Sequence, residues 1–257
     1  MSFWKVRSTV AIAAVAMSVS FASCSKNDDV QPGVQQMHML QVDGNGLSAF
    51  NHAVMLQGID STLTATYTEK ANLLKLWNDE KLARDVYAVL GTKLSIDHMT
   101  RIATREDNHK TAVEFLMKLY GVEIPSGDAG TFADEAVQNL YTSLVETGNQ
   151  SQDEALKVGL RIEELDIAEI QTQLTQTTNA NITLVYANLA RASHNHLRAF
   201  ARLLSANSGT YTPQYLSQDE YNLIVNSPNE KGKGFNKGNG NGKGKGHGKK
   251  GGKGNRI

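Results

Sequence analysis

Six residues of this 257-residue chain combine ligand chemistry with positions where a helical core should be dry: Glu80, Glu106, His109, Glu163, Asp166 and His196. At helical spacing, Leu73, Leu76, Trp77, Ala83 and Tyr87 surround Glu80, while Met99, Ile102, Ala103 and Val113 surround Glu106. Leu156, Leu160, Ile167 and Ile170 flank Glu163, and Leu189, Ala192, Ala199, Phe200 and Leu203 flank His196. His109 follows Glu106, and Asp166 follows Glu163, at a spacing of three, so each pair shares a helix face. A carboxylate buried without a partner is strongly unfavourable. Carboxylates and imidazoles converging from facing helices are the means by which helical bundles hold two metal ions. Glutamate can chelate or bridge, and neutral histidine supplies one nitrogen. The four carboxylates carry four negative charges, which two divalent cations would neutralise. A metal-free polar core held by arginine and water is the competing reading, and Arg84, four residues after Glu80, is placed to serve it.

These residues need four helices to bring them together, and the sequence supplies four. Proline is absent between Pro32 and Pro125 and again between Pro125 and Pro213, and long apolar-periodic stretches fill both gaps. The spacing predicts a first helix over Tyr67–Leu90 and a second over Ser95–Tyr120, stopped by Gly121. A short helix is expected near Asp134–Glu146. The third long helix opens on Ser151-Gln152-Asp153-Glu154, which reads as a reciprocal capping box, and continues to Leu174. The fourth spans Ile182–Ser205, and a weaker segment covers Tyr211–Asn226. No period-two strand pattern of useful length is present. The expected class is all-α, a four-helix bundle over residues 66–210 with a short helix between the second and third long ones.

The ends read differently. Residues 1–23 have the form of a secretory signal, with Lys5 and Arg7 before the apolar run Val10–Val19. Phe21-Ala22-Ser23-Cys24 resembles a bacterial lipobox, so Cys24, the single cysteine, is the expected lipidation site; ordinary signal cleavage leaving a free thiol is the alternative. This implies a membrane-anchored protein of the cell envelope. Residues 24–65 read as a tether and linker with at most one short element, and 211–230 as a weak terminal segment. Residues 231–257 hold nine Lys or Arg, eleven Gly and no acid, a composition that cannot build a core. The net charge of zero therefore hides an asymmetry: residues 25–230 carry 15 basic against 26 acidic groups. The basic tail is either a solvated spacer or a contact for a polyanion such as lipid phosphate, polysaccharide or nucleic acid.

Several strings resemble a known family. Glu80-Lys81-Leu82-Ala83-Arg84-Asp85-Val86-Tyr87 is similar to the first ligand helix of rubrerythrin-type proteins, and Glu106-Asp107-Asn108-His109 matches their Glu-x-x-His. Together with Ile162–Ala168 and Ser193–Phe200, they resemble a ferritin-like family carrying domain of unknown function 2202, over residues 73–204. The resemblance implies a ferritin-like bundle with Glu80, Glu106, His109, Glu163 and His196 as ligands of two irons. The chain departs from that pattern at Ser193, where a second Glu-x-x-His would place an acid. Asp166, and less favourably Glu164, are the candidate replacements; His194 is rotated away from His196 and reads as a surface or interhelix residue, not a ligand.

Two kinds of function follow as expectations. The first is a di-iron oxidoreductase, oxidising Fe²⁺ or reducing peroxide, with Tyr87 supplying a proton or electron. No Cys-x-x-Cys pair is present, so a peroxidase would need an external electron donor. The second is a module that binds Fe, Mn or Zn without turnover, or a lipid-anchored interaction protein whose core holds no metal. A homodimer is compatible with all of these.

Overall fold

The structure, a computed structural model, describes residues 40–43 and 47–230. The expected signal segment, Cys24 and the basic tail lie outside the described residues. The described chain is dominated by helices, as the sequence pattern requires: α1 (His52–Gly58), α2 (Tyr67–Leu94), α3 (Asp97–Leu119), α4 (Glu135–Gly148), α5 (Gln152–Leu174), α6 (Ala180–Ala206) and α7 (Gln218–Val225). Two short antiparallel strands, β1 (Leu40–Val42) and β2 (Ser48–Phe50), pair Gln41 with Ala49.

The helix ends follow local chemistry. Thr66 and Glu69 form a capping box at the start of α2, with each side chain bonded to the other's backbone N–H. Helix α2 ends at Ser95 in the left-handed conformation (φ 56°), which turns the chain directly into α3. Gly91 permits the close approach at this turn, since a Cβ there would lie 2.6 Å from Thr100 Oγ1. Helix α3 closes in a Schellman motif: Gly121 takes φ 66°, and the Val122 N–H reaches the Met117 carbonyl at 2.8 Å. The expected capping box on α5 is only half present. Ser151 accepts from the Glu154 N–H, but the Glu154 carboxylate is taken by Lys157 Nζ at 2.8 Å.

Four long helices carry the core, with α2 paired to α3 and α5 to α6. Contacts fix their directions. Gly159 faces Phe200 and Glu163 faces His196, so α5 and α6 run antiparallel. Tyr87 bonds the Gly159 carbonyl while Lys75 pairs with Glu169, so α2 and α5 are antiparallel too. Residues 120–151, including α4, make the crossing from α3 to α5. Two apolar clusters fill the interior. One gathers Leu82, Val86, Tyr87, Leu90, Ile102, Leu160 and Phe200, and the other gathers Leu73, Leu76, Trp77, Val113, Leu116, Ile170 and Leu189. The six candidate ligands occupy the level between them.

The stretch read as a linker is more ordered than the sequence pattern implies. β2 packs on α3 and α6, and α1 buries Val54 and Met55. Three-residue strands are too short to carry a period-two signal, and their stabilising contacts lie far along the chain. The Phe50 N–H, for example, donates to Asn108 Oδ1 at 2.6 Å. The weak terminal segment likewise contains a capped helix, α7, whose Tyr221 and Ile224 are buried.

Candidate metal centre

All six singled-out residues are buried, at 3 % exposure or less. Glu80 comes from α2, Glu106 and His109 from α3, Glu163 and Asp166 from α5, and His196 from α6. Five of them form two overlapping triplets whose ligand atoms lie within 4.8 Å of one another: Glu80, Glu106 and His109, then Glu106, Glu163 and His196. Glu106 belongs to both. Its Oε2 lies 2.7 Å from His109 Nδ1, and its Oε1 lies 2.8 Å from His196 Nδ1. Glu80 Oε2 stands 3.6 Å from His109 Nδ1, and Glu163 Oε1 stands 3.6 Å from His196 Nδ1. The two imidazoles stack with centroids 5.5 Å apart and planes 18° from parallel.

The polar atoms do not satisfy one another. Glu106 Oε1, His109 Nε2 and both ring nitrogens of His196 are buried without a hydrogen-bond partner. His196 Nδ1 and Glu106 Oε1 are close in distance but misaligned as donor and acceptor. Buried polar atoms are nearly always paired, so several orphans at one level call for a missing partner. Carboxylate oxygens and imidazole nitrogens in two triplets with one shared carboxylate fit a pair of divalent cations.

Electrostatics agree with this fit. Burial, reinforced by the Glu106 charge, raises Glu80 and Glu163 to about 7. Burial alone would lower the histidines, but the Glu106 carboxylate, helped by Glu80 on one side and Glu163 on the other, lifts His109 to about 9 and His196 to about 10. Burial would raise Glu106, but the two imidazoles hold it well below the usual carboxylate range. Without metal, protonated histidines take the place of cations.

The competing arginine does not reach the centre. Arg84 pairs with Asp85 at 2.6 Å and with Asp107 at 3.1 Å, leaving Glu80 without a guanidinium. Asp85 also accepts from Lys81 Nζ at 2.7 Å and from the Gly130 N–H at 2.8 Å. Lys81 in turn donates to the carbonyls of Asp128 and Thr131. The charged residues beside Glu80 thus hold the crossing loop.

The other expected residues divide. Tyr87 donates to Glu163 Oε1 at 2.8 Å; burial and then the Glu163 charge push its phenol well up, so it is neutral. Asp166 lies in the same acid field, raised by burial and by Glu80 and Glu163, but gives no atom to either triplet. Ser193 turns its hydroxyl back to the Leu189 carbonyl at 3.3 Å, so α6 supplies a histidine and no carboxylate. Glu164 is excluded as a replacement, because its carboxylate accepts from the Tyr211 hydroxyl and from the N–H groups of Gln214 and Leu216. His194 is an outer residue, as expected, bound to Glu230 Oε1 at 2.7 Å.

Sequence reasoning missed the cover of the centre. Phe50 on β2 meets the His109 ring edge-on, with centroids 6.0 Å apart. Asn108, next to His109, accepts from the Phe50 N–H and pairs its amide with His52 Nε2 at 2.9 Å. No local signal marks these contacts, which join residues more than 50 positions apart.

The described chain is therefore a helical protein with a buried carboxylate–histidine centre. It belongs to the family described as "Uncharacterized protein domain (DUF2202)", which it matches over residues 69–228. It is 42% identical over 166 residues to the uncharacterized protein MJ0754 of Methanocaldococcus jannaschii, across 64% of this chain and 90% of that one. The crystal structure of hypothetical protein MJ0754 superposes with a TM-score of 0.63 at 40% identity, covering 65% of this chain and 96% of that chain.

Proposed function

We propose that this is a ferritin-like bundle holding two divalent metal ions, and that its function is di-iron redox chemistry in the cell envelope: oxidation of Fe²⁺ or reduction of peroxide. The observation that carries the reading is the pair of triplets sharing Glu106, with its orphaned ligand atoms. Glu80, Glu106 and His109 would hold one ion, and Glu106, Glu163 and His196 the other. Iron at such a centre supplies one-electron redox steps and polarises bound oxygen species. Tyr87 keeps a proton on its phenol oxygen at Glu163 Oε1 and sits where it can deliver it to the centre. Phe50 and the apolar clusters on both sides exclude bulk water. Asp166, which burial and the Glu80 and Glu163 charges hold toward its neutral form, would stand beside the centre without being a first ligand. The lipobox-like Phe21–Cys24 supports anchoring to a membrane, and the single cysteine means that multi-turnover peroxidase chemistry would draw on an external donor.

The Ser193 geometry favours a second reading. With no carboxylate from α6, each triplet has two carboxylates and one histidine and both depend on the shared Glu106, a sparse ligand set that suits metal holding without turnover. One experiment separates the possibilities. Protein purified without a histidine tag and loaded anaerobically with Fe²⁺ should bind close to two irons, and Glu106→Ala should bind none. Oxygen consumption on mixing with air distinguishes catalysis from storage. A wild-type chain that stays metal-free by mass spectrometry after loading refutes both readings.

A further inference from the structure

On the outer side of α5, away from the Glu/His centre, lies a cleft of about 300 Å³ between α5 and the segment that follows α6. Its lining includes Glu154, Lys157 and Arg161 of α5 and Thr210, Tyr211 and Thr212 of that segment. Arg161 stands two residues before Glu163, about 200° around the helix, so α5 shows a candidate ligand to the core and a guanidinium to the cleft. The charges of the cleft do not balance. Glu154 is taken by Lys157 Nζ at 2.8 Å. Glu164, one turn beyond Arg161, accepts from the Tyr211 hydroxyl and from the N–H groups of Gln214 and Leu216. Burial, then the bond to Glu164, push the Tyr211 phenol well up, so it is neutral and no counter-ion. Arg161 is left over. Its Nε is shielded from solvent without a hydrogen-bond partner, and no carboxylate among the described residues forms an ion pair with it.

An unmatched guanidinium in a partly enclosed cleft is a receptor for an anion. Its planar fork of N–H donors fits the paired oxygens of a carboxylate or phosphate, and shielding from water strengthens the attraction. The hydroxyls of Thr210 and Thr212 are further donors, and no hydrogen bond to a described residue occupies them. The cleft is much larger than an inorganic ion and falls at the lower end of the range for small-molecule sites, roughly 300–1,000 Å³. Val158 and the Tyr211 ring give it an apolar wall for a carbon skeleton. We infer that this cleft binds a small organic anion, with its carboxylate or phosphate head on Arg161 and its apolar body against Val158 and Tyr211. The site goes beyond the proposed function, needs no metal and draws on none of the six candidate ligands.

Isothermal titration of the full chain, stripped of metal with a chelator, tests the site with benzoate, phenyl phosphate and inorganic phosphate. Wild type should bind one equivalent of an organic anion, and the tighter of benzoate and phenyl phosphate identifies the head group that the cleft prefers. Inorganic phosphate, which has no apolar body, should bind about tenfold more weakly than phenyl phosphate. Arg161→Gln removes the charge-assisted bonds and should weaken both organic anions by about tenfold or more. Thr212→Trp, at an exposed position, fills the cleft from its rim with Arg161 in place and should weaken them likewise. Glu106→Ala, which disables the metal centre, should bind them as wild type does. Anion binding that is absent from wild type at millimolar concentration, unchanged in either cleft variant, or lost in Glu106→Ala overturns the inference. Equal affinity for inorganic and phenyl phosphate overturns the assignment of an organic ligand.

Discussion

Metal loading should expel protons from the centre in a number the geometry sets. At pH 7 the metal-free protein carries protons on both His109, at about 9, and His196, at about 10. Glu80 and Glu163, each at about 7, are half protonated. A cation pair needs all four groups deprotonated, so binding should release about three protons at pH 7 and about four at pH 6. The overall binding constant for the pair should then fall by roughly three decades between pH 7 and pH 6. Isothermal titration of Mn²⁺ or anaerobic Fe²⁺ in two buffers of different ionisation enthalpy measures the released protons directly. Repeating the titration in Glu106→Ala, which should bind no metal at the centre, serves as the blank and should show no such release. Fewer than one proton released by wild-type protein that does bind metal would refute the reasoning, because the histidines and glutamates would then not be the ligands.

Other consequences are open to measurement. The stability of the metal-free protein should fall as pH rises from about 4.5 to about 10. The raised glutamates cost stability as they ionise up to about 7, and the stability contributed by the raised histidines is full below about 6.5 and lost through 9 to 10. Thermal melts of chelator-treated protein across this range check the sign, and a Tm that rises with pH contradicts it. Tyr87→Phe removes the donor to Glu163 and should destabilise the fold by about 1 kcal/mol with the metal count unchanged. In stopped-flow oxidation of Fe²⁺ the same variant should be slower, and an equal rate removes Tyr87 from the chemistry. A Cβ at Gly159 would sit 2.7 Å from the Phe200 ring. Gly159→Ala should therefore lower Tm despite the gain of about 1 kcal/mol usual for such a change in a helix, since overpacking costs roughly 1–3 kcal/mol.

The four long helices and the convergence of five of the six candidate ligands were legible because both are written in local periodicity. Glu80, Glu106, Glu163 and His196 break apolar stripes, and a stripe needs only its own helix to be recognised. Ends were legible where the cap is made by neighbours, as at Gly121. What was not legible depends on distant residues. Ser151-x-x-Glu154 has the capping-box pattern, yet Lys157 captures the glutamate. Glu164 lies on the same helix as Glu163, and only residues 211–216 explain why it is an anchor for the C-terminal segment and no ligand. Arg84 has the spacing to neutralise Glu80 but finds two aspartates instead. The strands β1 and β2 are invisible because three residues define no period, and the ring that meets His109 comes from one of them.

That ring also lies outside the stretch that matches the family. The matched family spans residues 69–228, whereas Leu40–Gly58, which includes Phe50 and His52, lies before it. Every candidate ligand is thus inside the matched portion, and the ring that meets His109 comes from outside it. Size and polarity at position 50 can therefore vary without changing any of the six candidate ligands beneath it. Swapping residues 40–58 between chains would vary the cover over His109 while leaving the six residues below it unchanged.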